Sequence, residues 1–353
     1  RKRYFRRIGD FFSVDMIFRR FPDKGFAFMT YGIYSPDKIM PGKYVMRISI
    51  QVPVYNTAAY VIPCLRSILA DMDDDCELLV VDDGSSDASP VLIREFAASD
   101  SRIRFDSNRE NTGIAMTRRK MARMTTAEYI VPFDADDLFL PGRLQRHARL
   151  LDANRDAVAV YGKTMLYDDN DGKVRYYTGH PYSNLLIFDG NPAGHGGGMI
   201  RRDALLSAGN YMMVQWNGDK IPVACDYFMW QRLGQTGPIL FDDSFTYLYR
   251  SHGGQITERK AELYKIAHEY MAKYCRDTHT DLIEQLLGGE LLVTNKEKYL
   301  VMQILGLLIS YNDLERDTWL RLVDIAEQLD GCDHGCMVRR FNCYRKYHDW
   351  ALA

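Results

Sequence analysis

No apolar run in this chain is long enough to cross a membrane; the nearest, Tyr299 to Ile309, reads as a core helix. No apolar stretch stands near the N-terminus, so no secretory leader is read there. An excess of one charge is missing too: the formal net charge is −2, which removes the general electrostatic case for nucleic acid. Cysteine is sparse, seven residues widely scattered, an odd number that argues against a disulfide framework and for a reducing compartment. The turn after the first predicted strand holds no glycine, and no Gly-x-x-x-x-Gly-Lys-Ser/Thr occurs. A dinucleotide-binding fingerprint and an NTPase phosphate loop are therefore both excluded.

What is present is ordinary for a globular protein, with 46% hydrophobic and 26% charged residues over 353 positions. That length suits one large domain or two smaller ones. The chain begins at Arg1 rather than Met, so a processed chain or a piece of a longer one is expected. Residues 1–46 are punctuated by Pro and Gly and have weak periodicity, which reads as an N-terminal extension. Arg1, Lys2, Arg3, Arg6 and Arg7 cluster there around Tyr4 and Phe5, either as a solvated flank or as a contact with a membrane surface or partner module.

From Arg47 the pattern changes. Ile48–Pro53, Leu78–Val81, Ile103–Phe105 and Tyr129–Phe133 read as strands. Helical spacing fills the gaps at 57–70, from Ser86 or Asp87 to about Ala98, and at 112–124, with Asn56 or Thr57 as a candidate cap of the first helix. Strands alternating with helices predict an α/β fold with a doubly wound, mainly parallel sheet. A helix from Pro141 to Asp152 follows, then a hairpin around Asp168–Gly172, helices at 203–207 and 223–233, and a strand at 245–249. Beyond Thr257 nearly everything reads helical, at 258–276, 279–288, 296–311, 314–329 and 337–350.

Ligands of an open parallel sheet sit at the carboxyl ends of its strands. Polar clusters fall there after three of the predicted strands: Pro53-Val-Tyr55-Asn56, Asp82-Asp83-Gly84-Ser85-Ser86-Asp87 and Asp134-Ala135-Asp136-Asp137. Three like charges within four residues need compensation, and a divalent cation bridging to a phosphate supplies it.

In order and spacing these elements resemble the family 2 glycosyltransferases, which have the GT-A fold. The matching residues are Val52-Pro-Val-Tyr-Asn56, Val81–Asp87, Asn111-x-Gly113 with Arg118, and Asp134-Ala-Asp136-Asp137. They continue in Gly197-Gly-Met-Ile-Arg-Arg202, Asp226-x-x-x-x-x-Arg232-Leu233 and Tyr249-Arg-x-His252. The resemblance implies a GT-A domain over 47–256, with the extension at 1–46 and a helical C-terminal region at 257–353.

It also implies roles. Pro53, Tyr55, Asn56, Asp82 and Asp83 would hold the base and ribose of a nucleotide sugar, UDP-sugar being favoured because uracil N3–H is a donor and a carboxylate accepts. Arg118 would reach the base or diphosphate. Asp134 and Ala135 would line the donor site, and Asp136 with His252 would ligate Mn²⁺ or Mg²⁺. Asp137 either contacts the metal or shapes the loop. Asp226 would be the general base, and it stands as Cys225-Asp226 where the family commonly has Glu-Asp. The loop residues His195, Gly197 and Gly198 and the ring of Trp216 would lie near the donor or acceptor sugar. For Trp216 a half-buried loop aromatic is the equal alternative.

The implied activity is metal-dependent, inverting transfer from a nucleotide sugar to a hydroxyl of a saccharide, glycan or lipid-linked acceptor, in surface polysaccharide synthesis. Trp230-Gln231-Arg232 is not the Gln-x-x-Arg-Trp of processive synthases, so transfer of single residues, or one active module of a polymerase, is expected. A cytoplasmic location follows, with the inner membrane face as the alternative, reached through the N-terminus or the C-terminal helices. A nucleotidyltransferase and a non-catalytic nucleotide-sugar binding module are the competing classes. Cys332-x-His334-x-Cys336, with Cys343 and His348 nearby, matches no standard zinc spacing and reads as thiols on terminal helices.

Overall fold

The computed structural model describes residues 46–187, 191–216, 219–221, 224–253, 255, 261–288, 298–311, 316–330 and 339. The expected extension at 1–46, the terminal helix at 337–350 and the Cys332/His334/Cys336 group lie outside these residues, apart from Met46 and Arg339.

The first strands form where apolar runs are continuous. β1 (Ile48–Val54) and β2 (Cys76–Asp82) are buried along their whole length. Runs of this kind suit strands covered on both faces. β2 pairs in parallel with β1 and with β3 (Ile103–Ser107), and β1 pairs in parallel with β4 (Tyr129–Pro132).

Helices close both faces. α1 (Val61–Leu69), α2 (Ser89–Ala97) and α4 (Arg143–Ala153) cover one, through Leu65, Ile68, Ile93, Leu144, Ala148 and Leu151. Across the sheet, α3 (Ile114–Met124), α5 (Arg202–Ser207) and α6 (Cys225–Gly234) contribute Ala122, Leu205, Met229, Trp230 and Leu233.

The sheet has nine strands in the order β3-β2-β1-β4-β8-β6-β11-β5, with β7 beside β6. The added strands are β5 (Leu138–Phe139), β6 (Ala159–Asp168), β7 (Lys173–Thr178), β8 (Gly198–Arg201) and β11 (Ile239–Ser251). β8 runs antiparallel to both β4 and β6, and β11 runs parallel to β6. A two-stranded ribbon, β9 (Val214–Trp216) with β10 (Asp219–Ile221), stands apart.

Three sequence expectations are corrected. β8 was unforeseen, being four residues that follow a glycine run. β11 is far longer than 245–249, because the charged segment at Asp242 stays in the strand as an irregularity between Asp242 and Phe245. The buried Asp242 carboxylate is bound there by Arg146 at 2.6 Å and His147 at 3.2 Å. α1 starts at Val61, so Asn56 does not cap it, and Tyr60 occupies the capping position without a side-chain bond.

The C-terminal region is helical as expected, in α7 (Ala261–Thr278), α8 (Thr280–Gly288), α9 (Lys298–Tyr311) and α10 (Arg316–Asp330). α9 is buried all round from Val301 to Ile309. It packs with Tyr227 and Phe228 of α6 in one apolar cluster. Gln303 of α9 also donates to the Gln231 carbonyl at 2.6 Å, so this region braces α6 directly. Among the described residues, no helix is long and apolar enough to cross a membrane.

Candidate active site

Register brings the polar clusters together. Val54 stands opposite Asp82, and Gln51 opposite Pro132, so the turns after β1, β2 and β4 emerge side by side. Pro53 ends up buried within β1, and the Tyr55 ring is 49% exposed beyond it. Asn56 stitches the first two turns: its Oδ1 accepts from the Ser86 amide at 2.8 Å, and its amide donates to Ser85 Oγ at 2.9 Å. Gly84 permits this turn, since it has φ +74° and a Cβ there would lie 2.7 Å from the Glu110 carbonyl carbon.

Asp82 and Asp83 are both buried, yet they differ. Asp83 Oδ1 accepts from Asn108 at 2.7 Å and from the Thr112 amide and hydroxyl, while Oδ2 accepts from the Gly113 amide at 2.9 Å. Burial works against its ionisation, but these bonds outweigh it and hold its pKa below the ordinary carboxylate value. Asp83 thus anchors the start of α3. Asp82 Oδ2 accepts from Ser85 and Ser107, both at 3.2 Å, whereas its buried Oδ1 has no partner among the described residues.

Arg118 rises from α3 into the centre of the site. Its Nη2 donates to Asp134 Oδ1 and its Nη1 lies 3.6 Å from the Cys225 Sγ. The Tyr211 ring lies 5.9 Å from Cζ. Burial opposes the guanidinium charge, but Asp134 and Asp226 more than restore it, and its pKa is raised. Asp226 sits in the first turn of α6, after Ala224 at φ +60°. Burial raises its pKa above the ordinary value, and Asp134 adds to that; Arg118 and the Tyr227 amide offset only part. A general base must accept the acceptor's proton, and a raised pKa favours that transfer.

In the acidic turn, Ala135 is buried and the three acids divide the available partners. Asp134 takes Arg118. Asp136 Oδ2 lies 3.1 Å from His252 Nε2. Burial, then the Asp134 charge, raise the Asp136 pKa against that bond. Asp137 is buried, and its Oδ1 accepts from the Arg250 amide at 2.9 Å. Burial and the neighbouring acids push its pKa well up. Asp137 shapes the loop.

The fit to a divalent cation rests on Asp136 and His252. A hard carboxylate oxygen and an imidazole nitrogen converge there, donor types that a divalent cation accepts. Among the described residues no group of three His, Cys, Asp or Glu side chains converges to hold a metal ion.

The other loop residues face inward. His195 is buried, with Nε2 3.2 Å from the Tyr211 hydroxyl. Burial, then the charges of Arg118 and Arg143, press its pKa well below the usual value, so it is neutral. A Cβ on Gly197 would meet Thr246 Oγ1 at 3.0 Å, and one on Gly198 would meet the Trp230 ring at 2.8 Å. The close backbone approach read from the glycine run is therefore to the protein itself. Trp216 ends β9 opposite Asp219, and its side chain lies outside the described atoms.

Several residues at the site escaped the sequence reading. Arg250 belongs to a quoted motif but was given no role. Arg143 donates to the Gly196 carbonyl at 2.5 Å and the Gly198 carbonyl at 2.7 Å, and its Cζ lies 4.4 Å from the Phe139 ring centroid. Tyr60, Tyr211 and Asp169 carried no local signal.

The profile of glycosyl transferase family 2 matches residues 49–209. The chain is 31% identical over 130 residues to the glycosyltransferase GlyG of Streptococcus pneumoniae, covering 37% of this chain and 43% of that protein. It is 27% identical over 228 residues to a chondroitin synthase of Escherichia coli, covering 64% of this chain and 32% of the synthase. The chain thus spans less than half the length of either relative. S. aureus TarS 1-349 in complex with UDP-GlcNAc superposes with TM-score 0.50 at 16% identity, covering 85% of this chain and 90% of that one, which shows a shared fold. Residues 49–209 thus carry a glycosyl transferase family 2 domain, and the sheet they help build has the GT-A fold.

Proposed function

We propose that this chain is a metal-dependent, inverting glycosyltransferase that moves a sugar from a nucleotide sugar to a hydroxyl of a saccharide or glycan acceptor. The observation that carries this reading is the span of Arg118, which bonds Asp134 of the acidic turn and reaches Cys225, the neighbour of Asp226. One side chain thereby ties the leaving-group end of the site to a carboxylate tuned to accept a proton.

A UDP-sugar is the favoured donor, since Asp82 Oδ1, without a partner among the described residues, suits the N3–H of uracil. The UDP-GlcNAc bound by TarS supports a donor of that class. Asp136 and His252 would hold Mn²⁺ or Mg²⁺, which neutralises charge on the leaving diphosphate. Arg118 contributes positive charge at the same end. The acceptor oxygen forms a bond to the anomeric carbon as the bond from that carbon to the diphosphate oxygen breaks. The bonding pair leaves with the nucleoside diphosphate, and the hydroxyl proton passes to Asp226. Attack opposite the leaving group inverts the anomeric centre. Holding both substrates in one cleft supplies much of the acceleration.

We take residues 47–256 as the transferase domain and 257–353 as a helical region that braces α6 and offers a surface to a partner module or membrane. Similarity to a chondroitin synthase supports a role in polysaccharide synthesis. Calorimetry with a panel of UDP-, GDP- and TDP-sugars plus Mn²⁺ tests the donor. Binding of a UDP-sugar, and loss of transfer in Asp226→Asn with binding intact, are expected; binding of no nucleotide sugar at all sinks this function.

A further inference from the structure

Tyr60 is a large, half-buried aromatic residue that belongs to none of the apolar clusters of the described residues. It stands at the entry to α1, just past the turn that follows β1. Its ring centroid lies 4.4 Å from that of His252, with the planes 32° apart. The Arg250 Cζ lies 5.2 Å from the same ring. The Tyr60 hydroxyl donates to Asp169 Oδ2 at 3.5 Å, and Arg250 Nη1 donates to Asp169 Oδ1 at 2.5 Å. Arg250 also donates through Nε to the Asp136 carbonyl at 2.9 Å.

Three segments therefore meet at Tyr60, the loop after β1, the end of β11 and the β6–β7 turn, and the acidic turn joins them through Arg250 and His252. An imidazole on an exposed strand end would sample several rotamers. Packed against the tilted Tyr60 ring, His252 presents Nε2 to Asp136 Oδ2 at 3.1 Å. Groups behind a ligand side chain fix its orientation and so raise affinity for the ion.

We propose that Tyr60 is a positioning residue for the cation–diphosphate end of the donor site, where its ring holds His252 against Asp136. This rests on the donor site proposed above. The ring carries the effect, and the bond to Asp169 refines it. Tyr60 couples the nucleotide side of the cleft to the cation side, so that ion binding is set by a residue that ligates nothing.

Mn²⁺ uptake by the full chain, followed by the electron paramagnetic resonance signal of the unbound ion with UDP present, tests this. UDP affinity without metal is measured alongside by calorimetry. Tyr60→Leu is expected to weaken Mn²⁺ binding about tenfold, within the range for losing a group that orients a metal ligand. Metal-free UDP affinity should stay as in the wild type. Tyr60→Phe should retain Mn²⁺ affinity, and the kcat/KM lost by Tyr60→Leu should return as Mn²⁺ is raised. Tyr60→Gln, polar and ringless, is made in parallel with the same expectation as Tyr60→Leu, in case the latter does not fold. Unchanged Mn²⁺ affinity in the ringless variants overturns the role. So does an equal loss of UDP affinity with and without metal, or a Tyr60→Phe defect as large as that of Tyr60→Leu. If the wild type takes up no Mn²⁺ with UDP, the donor site itself is gone and Tyr60 has nothing to position.

Discussion

Arg118 holds Asp134 in an ion pair whose arginine side chain is only 5% exposed. Breaking such a pair leaves a carboxylate without its counter-charge beside Asp136 and within reach of Asp226. Arg118→Met should therefore lower stability by about 1–2 kcal/mol, below the range for a fully buried pair because the Asp134 side chain is 31% exposed. Nucleotide affinity should fall with it. Urea denaturation and UDP calorimetry of the variant check both, and a stable variant with full UDP affinity is the contrary result.

The pH profile follows from Asp226. A base works only when ionised, so kcat/KM should fall as pH drops through its pKa. Burial raises that pKa, which moves the acidic limb above the ordinary aspartate value of about 4. Asp226→Asn should lose about 100-fold or more in rate, the scale of general-base contributions, while binding UDP as before. Steady-state kinetics between pH 4 and 8 test the limb. A rate that stays flat to about pH 4 means another group takes the proton.

Much of this site was legible because sheet strands covered on both faces read as unbroken apolar runs. β1, β2 and β4 announce themselves in this way, and their polar turns follow directly. The rest depends on contacts between distant segments. β8 forms because Gly198 fits under Trp230 and Arg143 grips the carbonyls of Gly196 and Gly198, none of which a four-residue window contains. β11 continues through Asp242 because Arg146 and His147 of α4 satisfy its carboxylate. Tyr60 falls within a helical pattern, and only the fold shows it outside the helix and against His252.

His147 makes stability depend on pH. Burial lowers its pKa to about 4 despite the Asp242 bond, which pulls the other way. The unfolded chain, with a histidine pKa of about 6.5, then binds more protons between these values. Stability from this group is full above about pH 6.5 and is lost as pH falls toward 4. About 2 kcal/mol should go between pH 7 and 5. His147→Gln cannot titrate, so its denaturation midpoint should fall less over that range; an equal fall in both proteins removes His147 as the cause.

Asp82 and Asp83 are adjacent and chemically alike, and the structure separates their roles. Asp83 uses both oxygens to fix Asn108, Thr112 and Gly113, so Asp83→Asn forces an amide donor onto backbone donors. It should cost about 1–3 kcal/mol of stability, the penalty for a buried group left unmatched. Asp82→Asn can keep its bonds to Ser85 and Ser107 through the amide oxygen and should fold normally. Its loss falls on the oxygen that has no partner among the described residues, so UDP affinity should drop about tenfold, the worth of one charge-assisted bond. Thermal denaturation and UDP calorimetry of the two variants give opposite patterns if this division holds. A destabilised Asp82→Asn with unchanged UDP affinity would assign the nucleotide to another acceptor.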